Sequence, residues 1–217
     1  MSPSAIRLWQ LISPTLPIGT YSYSQGLERA VAHGWITDAA AAQTWIADLL
    51  AHALGHVDLP ILSRLQTSLA RHDSVAFYDW DKTLLAYRET RELRDQERAV
   101  GAALSRLLSE LDIATPQDSL TYVGAYAVAA NAWEIDPSDA CRGYAWAWCE
   151  NLVAAAIKLV PLGHSAGQRI LLSLGNDIED VVASAQRLDD LNIGSSAYGL
   201  AIASAQHETQ YCRLFRS

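Results

Sequence analysis

In Cys149-Glu150-Asn151-Leu152-Val153-Ala154-Ala155-Ala156-Ile157-Lys158-Leu159-Val160 the apolar side chains fall into a helical pattern. Cys149, Leu152, Val153, Ala156 and Val160 recur at three- and four-residue steps, the spacing of one face of a long helix. A second stripe runs through Leu93, Val100, Leu104, Leu107, Leu108 and Leu111 and predicts a helix across residues 89–112. Strand signals are thin, because alternation of β-branched residues never persists. Thr121-Tyr122-Val123 is the best strand candidate, and it leads into an alanine-rich helix. Thr115-Pro116 and Asp136-Pro137 each set a capping side chain before a proline, which predicts a helix start at both. Pro161-Leu162-Gly163 breaks the chain between two long helices, while Gly34 and Gly194 stand where helices end or begin.

Alanine-rich segments at Ala39–Ala42, Ala125–Ala132 and Val153–Ile157 predict helices packed closely through small side chains, with seven tryptophans and nine tyrosines supplying bulk. There is no repeat period and no long linker. The expectation is an all-α protein, one domain over residues 1–217, built as a bundle of roughly nine or ten helices. Half of the 217 residues are apolar, enough for a sizeable core. A formal charge of −8 argues against a nucleic-acid partner, and the arginines form no basic tract that would hold an anionic membrane. No apolar run nears the ~18 residues of a membrane span, and no secretory signal opens the chain. Three cysteines make no disulfide framework, and the expected compartment is the cytoplasm.

The chemistry-bearing residues admit several readings. His52 and His56 stand four apart with Asp48 and Asp58 nearby, a spacing that would seat two imidazoles on one helix face for zinc or nickel, but no third ligand follows from spacing. A metal-dependent hydrolase using this pair is one alternative; a surface pair is the plainer one. Cys141 and Cys149 read as small core hydrophobes. Gly163-His164-Ser165-Ala166-Gly167-Gln168 opens a helix but lacks the second glycine and lysine of a phosphate loop, so it reads as a helix–helix corner with Gly163 as the cap. No nucleophile elbow or catalytic triad is spaced along the chain, and it is not expected to be an enzyme.

The run from Arg88 to Arg98 mixes signs at helical spacing. Arg88 with Glu92 and Arg91 with Asp95 are candidate pairs on a solvated face, or the run is a docking surface. At the other end, His207-Glu208 leads to Arg213-Leu214-Phe215-Arg216-Ser217. This tail either tucks back onto its own domain or stays loose until a partner orders it. Leu16-Pro-Ile-Gly-Thr-Tyr21-Ser22-Tyr23-Ser24-Gln-Gly-Leu-Glu28 reads as a turn, a serine cap and an exposed aromatic–hydroxyl patch.

Taken in order, Leu16–Glu28, residues 89–101, Lys158–Gly163, residues 167–171, His207-Glu208 and residues 213–217 make the chain similar to the urease accessory protein F family along nearly its whole length. The resemblance implies an all-α homodimer that sits between urease accessory protein D (called H in some systems) and the GTPase, urease accessory protein G. It implies a scaffold that recruits the GTPase and modulates its cycle during nickel insertion into urease apoprotein. By the same resemblance the protein carries no cofactor of its own, the nickel and GTP belonging to its partners. The implied partner-binding residues are Tyr21, Ser22, Tyr23, Ser24, Glu28, Lys158, Gln168, Arg169, Arg213 and Arg216. Two departures stand out: His164 follows Gly163 where the family usually has glutamine, and residues 119–124 lack the histidine and proline expected before Gly124. A helical adaptor for another GTPase client is the remaining alternative.

Overall fold

The computed structural model describes residues 2–117 and 119–217. The chain is all-α: α1 (Pro3–Leu11), α2 (Leu27–Ala32), α3 (Ala39–Leu49), α4 (Leu59–Ala70), α5 (Ser74–Ala86), α6 (Arg91–Glu110), α7 (Tyr122–Ala132), α8 (Pro137–Leu159), α9 (His164–Arg187) and α10 (Tyr198–His207). Short 3-10 turns occupy Thr20–Ser22 and Asp190–Asn192, and there is no strand among the described residues.

Local signals explain most of these boundaries. Asp136 caps α8 by accepting from the amides of Ser138 and Asp139, with Pro137 in the first turn. Pro137 costs nothing there, because its missing N–H would have had no helical partner. Gly163 caps α9 without a side-chain hydrogen bond, as the corner reading anticipates. Of the predicted stripe, Leu93, Val100, Leu104 and Leu108 face inward from α6, Leu107 is half-buried and Leu111, at the C-cap, is exposed; the stripe of 149–160 faces inward from α8.

Three expectations fail. Thr121-Tyr122-Val123 is not a strand: the Thr121 hydroxyl accepts from the Gly124 amide and caps α7 directly. A β-branched residue at a cap mimics a short strand signal. Thr115-Pro116 opens no helix, and the described residues from Ile113 to Leu120 are irregular. Gly194 does not itself open a helix: α10 starts four residues later, at Tyr198.

A feature without a sequence signature of its own lies between α3 and α4. Leu50–Asp58 is π-helical, so α3, this segment and α4 make one unbroken rod. Pro60 supplies the physical cause. It has no N–H to return to the carbonyl of His56, and its ring crowds that carbonyl in an α-helix. Widening the preceding turns relieves the clash. The freed His56 carbonyl accepts the Gly194 amide instead, at 2.9 Å.

α7 is the buried centre. Every residue from Val123 to Ala130 is buried, and small side chains let α6 and α4 approach it closely. At the α6–α7 crossing a Cβ on Gly101 would fall 2.2 Å from the Leu120 carbonyl oxygen, so only glycine permits this approach. One continuous apolar core then reaches from Leu11 on α1 to Phe215 in the tail. Cys141 and Cys149 belong to it, and burial pushes their thiols up to about 11 and about 12. They are inert core residues at neutral pH.

Candidate functional site

The tail is built into the fold rather than loose. Glu28, in the first turn of α2, turns its carboxylate inward and accepts the amides of Leu214 at 2.7 Å and Phe215 at 2.9 Å. The Ser24 hydroxyl donates to the Ser217 carbonyl and accepts from the Glu28 amide, while the Ser24 amide also reaches that carbonyl at 2.8 Å. The Arg216 amide donates to the Ser22 carbonyl at 2.8 Å, and the Ser217 hydroxyl donates to Gln96 at 2.9 Å. Phe215 and Ser217 are buried. Lys158, from α8, holds its ammonium 5.7 Å from the Phe215 ring centre, a cation–π distance. Of the two readings of the tail, the tucked one describes the molecule.

Beneath the tail lies His207, the last residue of α10, with no exposed surface. Its Nδ1 is 2.8 Å from Glu92 of α6, and its Nε2 is 3.2 Å from Glu28 of α2. Arg213 closes the arrangement with Nη1 2.6 Å from the other oxygen of Glu92. Three stretches distant in sequence, at Glu28, at Glu92 and from His207 to Phe215, thus meet at two carboxylates.

The charged run from Arg88 to Arg98 is divided: Glu89, Arg91, Asp95 and Arg98 are exposed, while Glu92 and Glu97 turn inward. Glu92 and Glu97 are buried, and neither anticipated pair forms: Arg88 does not bridge to Glu92, nor Arg91 to Asp95. Arg88 instead grips Asp58 with two nitrogens, at 2.6 and 3.0 Å, and Glu97 with its Nε at 3.0 Å. Burial opposes its charge, but Asp58 and Glu97 outweigh that and hold the guanidinium more firmly protonated than usual. Tyr144 donates to Asp58 at 3.1 Å, and the other Glu97 oxygen accepts the Val123 amide at 3.2 Å, anchoring the positive end of α7. Arg91 pairs with Glu208 at 3.3 Å, from across the tail cluster.

A signal for this was present in the sequence. Leu93, Glu97, Gly101, Leu104 and Leu108 follow one another at three- and four-residue steps, so Glu97 occupies a core position of its own helix. The network of Asp58, Arg88, Glu97 and Tyr144 had no other trace, because its members lie on four different elements.

The anticipated residues distribute as follows. Tyr23, Ser24 and Glu28 lie buried under the tail, and the Ser22 carbonyl binds it. Tyr21 is 66 % exposed and stands at the mouth of a mainly apolar cavity of about 130 Å³ that Leu11, Ile18, Val100 and Trp148 also line. Arg213 and Arg216 border an open groove of about 500 Å³ together with Tyr23, Arg91, Gln96 and Ala99. Arg216 makes no ion pair among the described residues. Gln168 and Arg169 are exposed in the first turns of α9 and make no hydrogen bond to the tail cluster among the described residues.

His52 and His56 flank a separate groove of about 240 Å³ beside Asp180, their ring centres 6.1 Å apart, and His56 Nδ1 lies 3.0 Å from the Ala51 carbonyl. Asp58, on the same π-helical segment, is committed to Arg88. No group of three ligating side chains suited to a metal ion occurs among the described residues. No described helix is long and apolar enough to cross a membrane.

Residues 36–175 match the family model described as UreF. The urease accessory protein UreF of Alkalilimnicola ehrlichii is 50% identical over 216 residues, covering 97% of this chain and 95% of that relative. The UreF proteins of Alcanivorax borkumensis and a Marinomonas species are 45% and 41% identical, over 97% and 98% of this chain and 97% and 94% of their own lengths. The family model stops short of both the Leu16–Glu28 motif and the tail. The pairwise matches are long enough to span the Leu16–Glu28 motif.

Proposed function

The chain belongs to the UreF family of urease accessory proteins, and on that premise we propose that it is a non-catalytic scaffold of urease maturation. It joins urease accessory protein D (H in some systems) to the GTPase, urease accessory protein G, and modulates the GTP cycle while nickel enters urease apoprotein. It works in the cytoplasm as a homodimer. Nickel and nucleotide are carried by the partners, and the chain supplies surface.

One observation supports this reading above the rest: most of the segments that carry the resemblance, far apart in the chain, converge on one face, residues 167–171 standing outside it. The 21–28 motif, the start of α6, Lys158 and the tail meet around Glu28 and Glu92. The result is an ordered ledge where Arg91, Arg213 and Arg216 stand beside Glu92, Asp95 and Glu208, with Arg91 and Arg213 already paired to Glu208 and Glu92. Guanidinium groups held on a rigid ledge make bidentate contacts to carboxylates with little ordering cost. Arg216, which makes no ion pair among the described residues, is the guanidinium that suits a carboxylate on a partner surface.

The test separates partner contact from folding. Arg213 is tied to Glu92, so Arg213→Ala loosens the tail as well as removing a charge. Arg216→Ala removes a charge alone. A hot-spot loss of about 2 kcal/mol corresponds to roughly thirtyfold weaker binding. Both variants are expected to keep the D-type partner in a pull-down and to lose the GTPase, with lower urease activation. Unchanged recruitment by Arg216→Ala and Arg213→Ala would remove the ledge from the site. Light scattering tests the dimer, whose interface should bury about 2,000 Å² or more in total.

A further inference from the structure

We propose that Glu28, His207 and Glu92 form a proton-operated latch that fastens residues 208–217 to the helical body, closed when the imidazole carries two protons and loosened when it carries one. The geometry is that of a bridge with a donor needed at each end. Both ring nitrogens of His207 face carboxylate oxygens, and the ring is wholly buried. A doubly protonated ring donates to both. A singly protonated ring, in either tautomer, turns one lone pair against a carboxylate oxygen where no water replaces the lost bond.

Charge counting agrees. Glu92 is matched by Arg213, so Glu28 is matched only by a charged His207. The other charged groups near the site do not substitute for it. Arg91, on α6, is engaged with Glu208 at the end of α10, while Arg29, on α2, points to the Gln206 side chain at 3.5 Å. Lys158, on α8, lies over the Phe215 ring, and Arg216 borders the outer groove.

The carboxylates that clasp His207 are also those that hold the tail. Glu28 accepts the Leu214 and Phe215 amides, and Glu92 accepts Arg213. Loss of one proton therefore removes one of the two bonds at the seat of the whole segment. The released segment would uncover Tyr23, Ser24 and Gln96 and free the arginines from their fixed ledge. The latch stands on the geometry alone; only its effect on a partner rests on the urease reading.

Glu92→Gln distinguishes this device from ordinary burial. A glutamine there keeps an oxygen for Arg213 and turns its amide towards His207 Nδ1, so a singly protonated ring is satisfied on both sides. Hydrogen exchange of the Leu214 and Phe215 amides, corrected for intrinsic rates, is the readout on the full chain. From pH about 5.5 to about 8.5, protection in the wild type is expected to fall at least about tenfold while α7 amides hold. In Glu92→Gln it is expected to stay at the closed level. A flat wild-type profile, or a parallel fall in the variant, would overturn the latch. Nitrogen NMR of the His207 ring in the wild type is an independent check: both nitrogens protonated while the tail is docked supports the proposal, and a singly protonated ring with the tail still docked refutes it.

Discussion

Replacing Gly101 with alanine sets two physical effects against each other, and the structure decides between them. Helix propensity favours the change: alanine in a helix interior gains roughly 1 kcal/mol over glycine. Packing opposes it. The new Cβ would sit 2.2 Å from the Leu120 carbonyl oxygen, 2.6 Å from the Thr121 carbonyl carbon and 2.8 Å from the Tyr122 nitrogen. All three are backbone atoms, so no side chain swings aside, and α6 and α7 must part by about an ångström. Overpacking of this kind costs about 1–3 kcal/mol, and more when backbone must move. Separation would also stretch the bond from Glu97 to the Val123 amide and disturb the Thr121 cap. The expected net loss is about 2 kcal/mol, or a fall of about 4–8 °C in Tm for a chain of this size. Urea denaturation of wild type and variant measures it. A Gly101→Ala protein as stable as wild type, or more so, would show that propensity wins and that the α6–α7 approach is looser than described.

Two further outcomes follow from the buried charges. Asp81 accepts from the Thr121 amide and hydroxyl and from Gln117, yet burial pushes its carboxyl up to about 6. Because the folded value lies above the unfolded one, the folded state takes up a proton first, and this group adds stability as pH falls from 7 towards 4. Asp81→Asn is expected to flatten that slope and raise stability at pH 7 by up to about 3 kcal/mol, read by denaturation at both pH values; an unchanged slope refutes it. Arg88→Met leaves Asp58 and Glu97 buried without a counter-charge, which should cost about 3–5 kcal/mol near neutral pH and be partly recovered on acidification. A loss independent of pH would assign the effect to packing alone.

The fold was legible wherever a local cause sets it. Helical periodicity, Asp136-Pro137 and the Gly163 corner depend on neighbours in the chain, and each stands as the sequence implies. Thr115-Pro116 shows the limit: a capping residue and a proline permit a helix start but do not compel one without an apolar stripe to follow. The π-helical segment needed both Pro60 and the distant Gly194 amide, and no local pattern reveals the second. The site was half legible. Its segments carry the resemblance, but the role of Glu28 is set by amides 186 and 187 residues away. The mixed charges of α6 looked solvated because opposite signs at helical spacing suggest local pairing. Glu92 and Glu97 took long-range partners instead, and Glu97 in the leucine stripe was the available warning.

A protein that serves urease maturation leaves its mark on the urease made with and without it. The most direct measurement is the nickel content and activity of urease produced in cells that carry its structural and accessory genes but lack this one, with and without this chain supplied in trans. Nickel-loaded, active urease only when the chain is present is the predicted result. Full nickel loading and activity without it, in the same cells and at the same nickel supply, would contradict that role.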